Sequence, residues 1–256
     1  MQTFYFNELD STNLEARRRW LTTGQSLSAC AFAVIAAQQS AGMGRAGRTW
    51  KSPVGGLWLS VAWPLKQNAD IYAPAPLVVG LAVADALRAC CHLSCAIKWP
   101  NDLLVQGKKL AGVLCQCDWG ITSPVLIAGV GINGNFPAVI LGDDLRQPAT
   151  SLYDEIGQSV DLQALQILLI ENICQNLEYL QAGRFGSHLL SRIRQCLAWR
   201  NQQVILGYDS QDHSLEGQLL DVNESGHAVV MTRTGRQTVS SGELRLSTEK
   251  IANESH

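Results

Sequence analysis

Ile97-Lys98-Trp99-Pro100-Asn101-Asp102-Leu103-Leu104-Val105 reads as a short strand, a turn at Pro-Asn-Asp and a second strand. Gly107-Lys108-Lys109 then makes a tight turn into Leu110 to Cys117, and Asp118-Trp119-Gly120 leads to a further strand from Pro124 to Ile132. Strand follows strand, with connections too short to hold a helix. Parallel neighbours need a crossover of about a dozen residues or more, so this succession of hairpins predicts a largely antiparallel sheet rather than a doubly wound parallel one.

Working upstream, Pro76 to Cys91 carries apolar residues at helical spacing, with proline in the first turn, and reads as a core helix. Ala31 to Gln38 and Leu57 to Trp63 are strand-like runs on either side of Gly42-Met43-Gly44-Arg45-Ala46-Gly47-Arg48-Thr49-Trp50. Glycine lets a main chain approach a ligand closely, and arginine offers a forked donor to a carboxylate or phosphate. The loop therefore suits an anion beside an aromatic ligand, and it equally suits a basic surface loop with no ligand. Thr3 to Leu9 reads as a strand running into Asp10-Ser11-Thr12-Asn13-Leu14-Glu15. Thr12 with Glu15 three residues on predicts a capping box and a helix to about Leu21, ending before Gly24. Such a corner also presents hydroxyls and unpaired backbone donors to a polar ligand.

Downstream, Gly129 to Asn135 reads as a glycine-rich corner, and Phe136 to Ser151 as a long connection. Asp161 caps an apolar helix through about Leu180, and a second helix is expected from about His188 to Trp199. From Asn201 the texture changes to short strands at Val204 to Leu206, Leu215 to Val222, His227 to Thr232 and Arg236 to Ser240, which fit a small β-barrel. Residues 248–256 read as a polar tail.

The composition, 46% hydrophobic and 16% charged over 256 residues, is that of a folded protein. A net charge of -2 gives no general footprint for nucleic acid. The first ten residues have no signal-peptide pattern, and the apolar runs are of strand length, so a cytoplasmic protein without a membrane span is expected. The eight cysteines lack the paired spacings of a zinc site and read as reduced, largely buried thiols, so no metal site is expected.

Four pieces share a chemical theme: the Asp-Ser-Thr-Asn corner, Gln39 with the 42–50 loop, Lys98-Trp99-Pro100-Asn101-Asp102 with Lys109-Leu110-Ala111-Gly112, and Gly131-Ile132-Asn133. In this order they resemble the biotin protein ligase family over nearly the whole chain. The resemblance implies an α+β fold: a class II synthetase-like catalytic domain at residues 1–200, with a mixed, mostly antiparallel sheet packed with helices, and an SH3-like barrel at 201–247. It implies a two-step ligase that joins biotin to ATP as biotinyl-AMP and passes the biotin to a lysine of a biotin carboxyl carrier protein. Activation is needed because a carboxylate is a poor electrophile. Ser11, Thr12, Asn13, Gln39, Met43, Gly44, Arg45, Lys109 and Gly112 would hold biotin. Arg48, Trp50, Lys98, Asn101, Asp102 and Asn133 would hold ATP, with Lys109 and Arg48 catalytic and Asp102 placing Mg²⁺ or orienting Lys98.

Two departures stand out. Met43 replaces a common arginine, and Gln116 a common glutamate; the latter position carries no assigned role. Some family members bear an N-terminal helix-turn-helix, and the ten residues before Ser11 leave no room for one, so DNA is not an expected partner. A homodimer stays open. A lipoate or octanoate ligase, and a catalytically weak biotin sensor, are the alternatives.

Overall fold

The structure, a computed structural model, describes residues 1–23, 31–66, 69–119, 123–142, 145–208 and 211–247. Gly24, Cys30, Gly120 and the 248–256 tail lie outside the described residues.

Seven strands form the larger sheet: β1 (Gln2–Leu9), β2 (Phe32–Gln39), β3 (Leu57–Pro64), β4 (Ala96–Lys98), β5 (Asp102–Val105), β6 (Lys108–Asp118) and β7 (Val125–Ile132), in the order β1-β2-β3-β7-β6-β5-β4. The predicted hairpins β4-β5, β5-β6 and β6-β7 are all antiparallel. At the far edge β1 pairs with β2 in parallel, Phe4 opposite Val34, because the helix α1 (Thr12–Thr23) carries the chain back between them.

The other helices are α2 (Ala75–Cys91), α3 (Leu152–Ile156), α4 (Leu162–Gln181) and α5 (Leu190–Gln195). Asp161 caps α4 as expected, its Oδ1 accepting from the main-chain N of Gln163 at 2.9 Å and Ala164 at 3.0 Å. Leu165, Leu169, Ile173, Leu177 and Leu180 recur at three and four residues and form its buried stripe. The helix expected over 188–199 is shorter. It enters through a π turn, Phe185–Leu189, and ends at Gln195, because Ile97 of β4 draws the chain into strand-like bonds with Cys196 and Ala198.

Strand alternation assigns the two faces of the sheet. Ala128, Val130 and Ile132 of β7 and Leu57, Leu59 and Val61 of β3 meet α2 and α4 in the main core. Each such side chain contributes roughly 1.5 to 3 kcal/mol when fully buried. Ala69–Cys91, which includes α2, is long and apolar enough by length and composition to cross a membrane, and 67% of its apolar window is buried in the fold. On the opposite face Ala62 and Ile127 pack under Ala16 and Trp20 of α1. Further along that face the residues become Ser60, Gly129, Gly131 and Gly112, which are mutually paired in the sheet. The glycines read as a corner therefore lie within or beside β7, where they strip one face of side chains.

A second sheet, β8 (Gln203–Tyr208), β9 (Gln211–Val222), β10 (Ala228–Thr232), β11 (Gly235–Val239) and β12 (Glu243–Leu246), is antiparallel in the order β11-β10-β9-β8-β12. The strand β12 was not anticipated. Val204, Leu206, Leu219, Val230 and Leu244 join the main core, and the Trp99 indole Nε1 donates to Gly226 O at 2.9 Å. The second sheet is thereby anchored beside the β4-β5 turn.

Candidate active site

At the β1-α1 corner the predicted capping box gives way to a longer-range arrangement. Thr12 is already helical, and Glu15 N bonds to Ser11 O. The Thr12 hydroxyl and main-chain N both donate to Gln39 Oε1, at 3.2 and 2.8 Å, while Gln39 Nε2 donates to Ser52 Oγ at 2.7 Å. A half-buried amide acceptor takes the hydroxyl in place of a local cap. Next to it Asn13 Oδ1 accepts from Ser60 Oγ at 2.6 Å, and Asn13 Nδ2 donates to Gln116 Oε1 at 3.0 Å and Leu114 O at 3.3 Å. Ser11, Thr12 and Asn13 are all buried, and the polar atoms of Thr12 and Asn13 are organised by the sheet beneath them.

The 42–50 loop folds on itself through Trp50 N to Gly42 O at 2.8 Å and Gly44 N to Arg48 O at 2.7 Å, which leaves Arg45, Ala46 and Gly47 at its tip. Ala46 has φ 54°, a left-handed conformation unfavourable for a residue with a Cβ. The Trp50 indole lies over the glycine floor. A Cβ on Gly131 would sit 2.5 Å from Trp50 Nε1, and one on Gly112 3.1 Å from the ring. The Nε1 hydrogen is buried and finds no acceptor among the described residues.

Charge gathers at the other end. Lys98, 3% exposed, donates to Gln147 Oε1 at 2.6 Å, and Gln147 Nε2 donates to Asp102 Oδ2 at 3.0 Å. Asp102 Oδ1 pairs with Lys109 Nζ at 2.7 Å, and that ammonium stands 4.9 Å from the centroid of the Trp50 ring, at cation-π range. Arg48 pairs with Glu243 Oε2 at 3.0 Å, with Lys98 Nζ 4.0 Å from the other carboxylate oxygen. Arg45 Nη1 donates to Asn101 Oδ1 at 3.1 Å and to Gly242 O at 3.2 Å. The Asn133 amide donates to Thr150 O at 2.8 Å.

Most of these groups line one cavity of about 360 Å³, while Ser52, Ser60 and Gln116 stand behind its wall. Each of the fifteen positions singled out from sequence lies on its wall, from Ser11, Thr12, Asn13 and Gln39 through the loop to Lys98, Asn101, Asp102, Lys109, Gly112 and Asn133. Six cationic side chains (Arg45, Arg48, Lys51, Lys98, Lys109 and Arg146) face two carboxylates, Asp102 and Glu243, so one end suits a polyanion. The other end presents neutral donors and acceptors over a stripped sheet, and Lys109 stands at the junction. Sequence reading missed Ser60, Gln147 and Glu243. Ser60 had left a signal as the lone polar residue in an apolar strand, whereas Gln147 and Glu243 arrive from a connection and from an unanticipated strand.

A site with a neutral polar end, a cationic end and a lysine between them defines a protein that brings a small polar-headed acid against a phosphate-bearing ligand. Residues 8–133 match the model of the biotin/lipoate A/B protein ligase family. Biotin--[acetyl-CoA-carboxylase] ligase of Paracoccus denitrificans is 30% identical over 247 residues, covering 92% of this chain and 96% of that protein. The bifunctional ligase/repressor BirA of Bacillus spizizenii is 29% identical over 83% of the chain, which spans 65% of that longer protein. The solved biotin protein ligase of Aquifex aeolicus in complex with biotin and ATP superposes with a TM-score of 0.78 at 29% identity, over 96% of this chain and 99% of that one. The chain belongs to the biotin protein ligase family.

Proposed function

We propose that this chain is an ATP-dependent biotin protein ligase. The observation that carries the reading is the junction at Lys109, with the neutral pocket of Thr12, Asn13 and Gln39 on one side and the cations Arg48 and Lys98 on the other. Biotin's ureido head would sit at the neutral end, where each unmatched buried group costs roughly 1 to 3 kcal/mol and so selects for a cyclic urea. Its carboxylate would reach Lys109 and attack the α-phosphorus of ATP, forming biotinyl-AMP and releasing pyrophosphate. The lysine amine of a biotin carboxyl carrier domain would then attack the anhydride carbonyl, forming the amide and releasing AMP. Lys109 would offset the negative charge that builds on the phosphoryl oxygens in the first step. Arg48 and Lys98 would hold the phosphates, Trp50 would pack on adenine and Asn133 would hydrogen-bond the base, with Asn101 also on the nucleotide side.

Mg²⁺ typically enters on substrate phosphates with only one or two protein carboxylates, and Asp102 is the carboxylate in the cavity wall suited to it. We read the C-terminal sheet as an SH3-like unit over 201–247 beside a catalytic unit over 1–200. We place the reaction in the cytoplasm, in keeping with the free state of all seven described cysteines.

The test is to incubate the purified protein with ATP, Mg²⁺ and a carrier domain, supplying biotin and lipoate in parallel. A biotin mass on the carrier lysine, abolished by Lys109→Ala, is the expected result. No labelling of a carrier that a control ligase does label would refute the reading, and preferential use of lipoate would move it to the related acyl ligases.

A further inference from the structure

Gln116 lies on β6 beyond the cavity wall, and its contact is with Asn13 rather than with ligand space. A carboxamide can point either way, and its direction decides whether the pocket meets a donor or an acceptor. Here the main chain fixes that direction, and two side chains that can turn to suit it, Gln116 and Ser60, complete the arrangement. Leu114 O is a main-chain carbonyl and can only accept, so Asn13 Nδ2 must face it, at 3.3 Å. The second Nδ2 hydrogen is taken by Gln116 Oε1 at 3.0 Å. On the other side Ser60 Oγ, fully buried, lies 2.6 Å from Asn13 Oδ1 and 2.8 Å from Thr12 Oγ1, and with the Asn13 nitrogen turned to Leu114 its single hydrogen goes to Oδ1 over the shorter contact. The side chain fits because Gly129 lies beneath it: a Cβ there would overlap Asn13 Oδ1. Both donors of Asn13 are thus spent inside the protein, and what remains is the second lone pair of Oδ1, in a residue on the cavity wall.

We infer that Gln116, together with Ser60, is a positioning residue that locks Asn13 as a hydrogen-bond acceptor, so that the pocket selects acids whose head group carries an N–H. A cyclic urea supplies that hydrogen; a dithiolane or an alkyl chain does not. The inference rests on the ligase reading for the identity of the acid, and it adds the feature that separates biotin from lipoate at this site. It makes a chemical demand at position 116: the side chain must accept. Glutamate meets the demand with a carboxylate oxygen, whereas methionine has similar length and no comparable acceptor.

The experiment measures biotin binding by calorimetry and biotin-dependent pyrophosphate release for wild type, Gln116→Met and Gln116→Glu, with lipoate in parallel. Gln116→Met is expected to raise the Kd and KM for biotin about tenfold, the value of one hydrogen bond of about 1.4 kcal/mol. Its kcat, KM for ATP and melting temperature should stay close to wild type, since Gln116 is exposed. Gln116→Glu should restore biotin binding, and the preference for biotin over lipoate should narrow in Gln116→Met alone. Equal biotin binding by wild type and Gln116→Met overturns the inference while leaving the ligase reading intact, and so does a Gln116→Glu variant as impaired as Gln116→Met. A wild type that binds no biotin overturns the ligase reading and this inference with it.

Discussion

Glu243, the first residue of β12, holds Arg48 of the 42–50 loop at 3.0 Å, across 195 residues of sequence. Its neighbour Gly242 accepts from Arg45 at the tip of the same loop. The C-terminal sheet therefore closes one side of the cavity with a carboxylate, where the surrounding cations Arg48 and Lys98 are suited to an anionic ligand. A carboxylate placed there balances charge while the site is empty and competes with phosphates when nucleotide arrives.

Replacing Glu243 with glutamine should accordingly tighten ATP binding. The pair is part-exposed, and breaking such a pair is worth up to about 1 kcal/mol, or roughly a fivefold change in affinity. The expected result is a KM for ATP lowered two- to fivefold, with the KM for biotin unchanged. A raised KM for ATP would mean that Glu243 serves the nucleotide by holding Arg48 in place.

The floor of the pocket makes a steric prediction. Gly131→Ala would place a Cβ 2.5 Å from Trp50 Nε1 and force the indole off the sheet. Overpacking of this kind costs roughly 1 to 3 kcal/mol, and here it falls on the ligand side, because Gly131 is on the face opposite to Val130 and Ile132, which meet the main core. Adenylation should fall by at least tenfold while the far-UV spectrum and cooperative melting persist. Unimpaired adenylation would show that Trp50 moves freely away from the floor.

The sheet was legible from residues 97–132 because hairpins are local: turn chemistry and short connections settle which strands neighbour each other. The fifteen wall positions were legible through resemblance, as four motifs in order. What stayed hidden depends on long-range partners. Thr12 carried a local capping signal, yet Gln39, 27 residues on, took its hydroxyl. Gly129 and Gly131 looked like a corner because a strand that must leave one face empty uses the residues a turn uses. Glu243 gave no signal, since its role exists only once β12 lies against the loop.

The thiols predict an alkaline weakness. Burial pushes Cys95 up to about 12, and Cys174 and Cys196 up to about 11, well above an ordinary thiol. A folded-state value above the unfolded one means that the native protein holds its proton more tightly, so this stability is complete below about pH 8.5 and is lost as pH climbs towards 11 to 12. Under reducing conditions the melting temperature should hold from pH 7 to 8.5 and then fall steadily to pH 10.5. Cys95→Ala should flatten that decline, and an identical slope in the variant would assign the loss to other groups.

Arg45 makes the strongest demand on the loop. Its Nη1 ties the tip to Asn101 and to Gly242, so one side chain links the loop to the β4-β5 turn and to the approach to β12. Ala46, held at φ 54° beside it, leaves the tip little intrinsic preference for this shape once those bonds are lost. Arg45→Gly should therefore leave adenylation measurable while loosening the cover over the product, so that biotinyl-AMP escapes and biotinylates exposed lysines on bystander proteins. The check is mass spectrometry of a bystander such as serum albumin mixed with the variant, ATP and biotin, against wild type. Bystander labelling with retained pyrophosphate release assigns Arg45 to retention of the intermediate. A variant that releases no pyrophosphate assigns it to substrate binding, and the loop then serves to build the pocket rather than to close it.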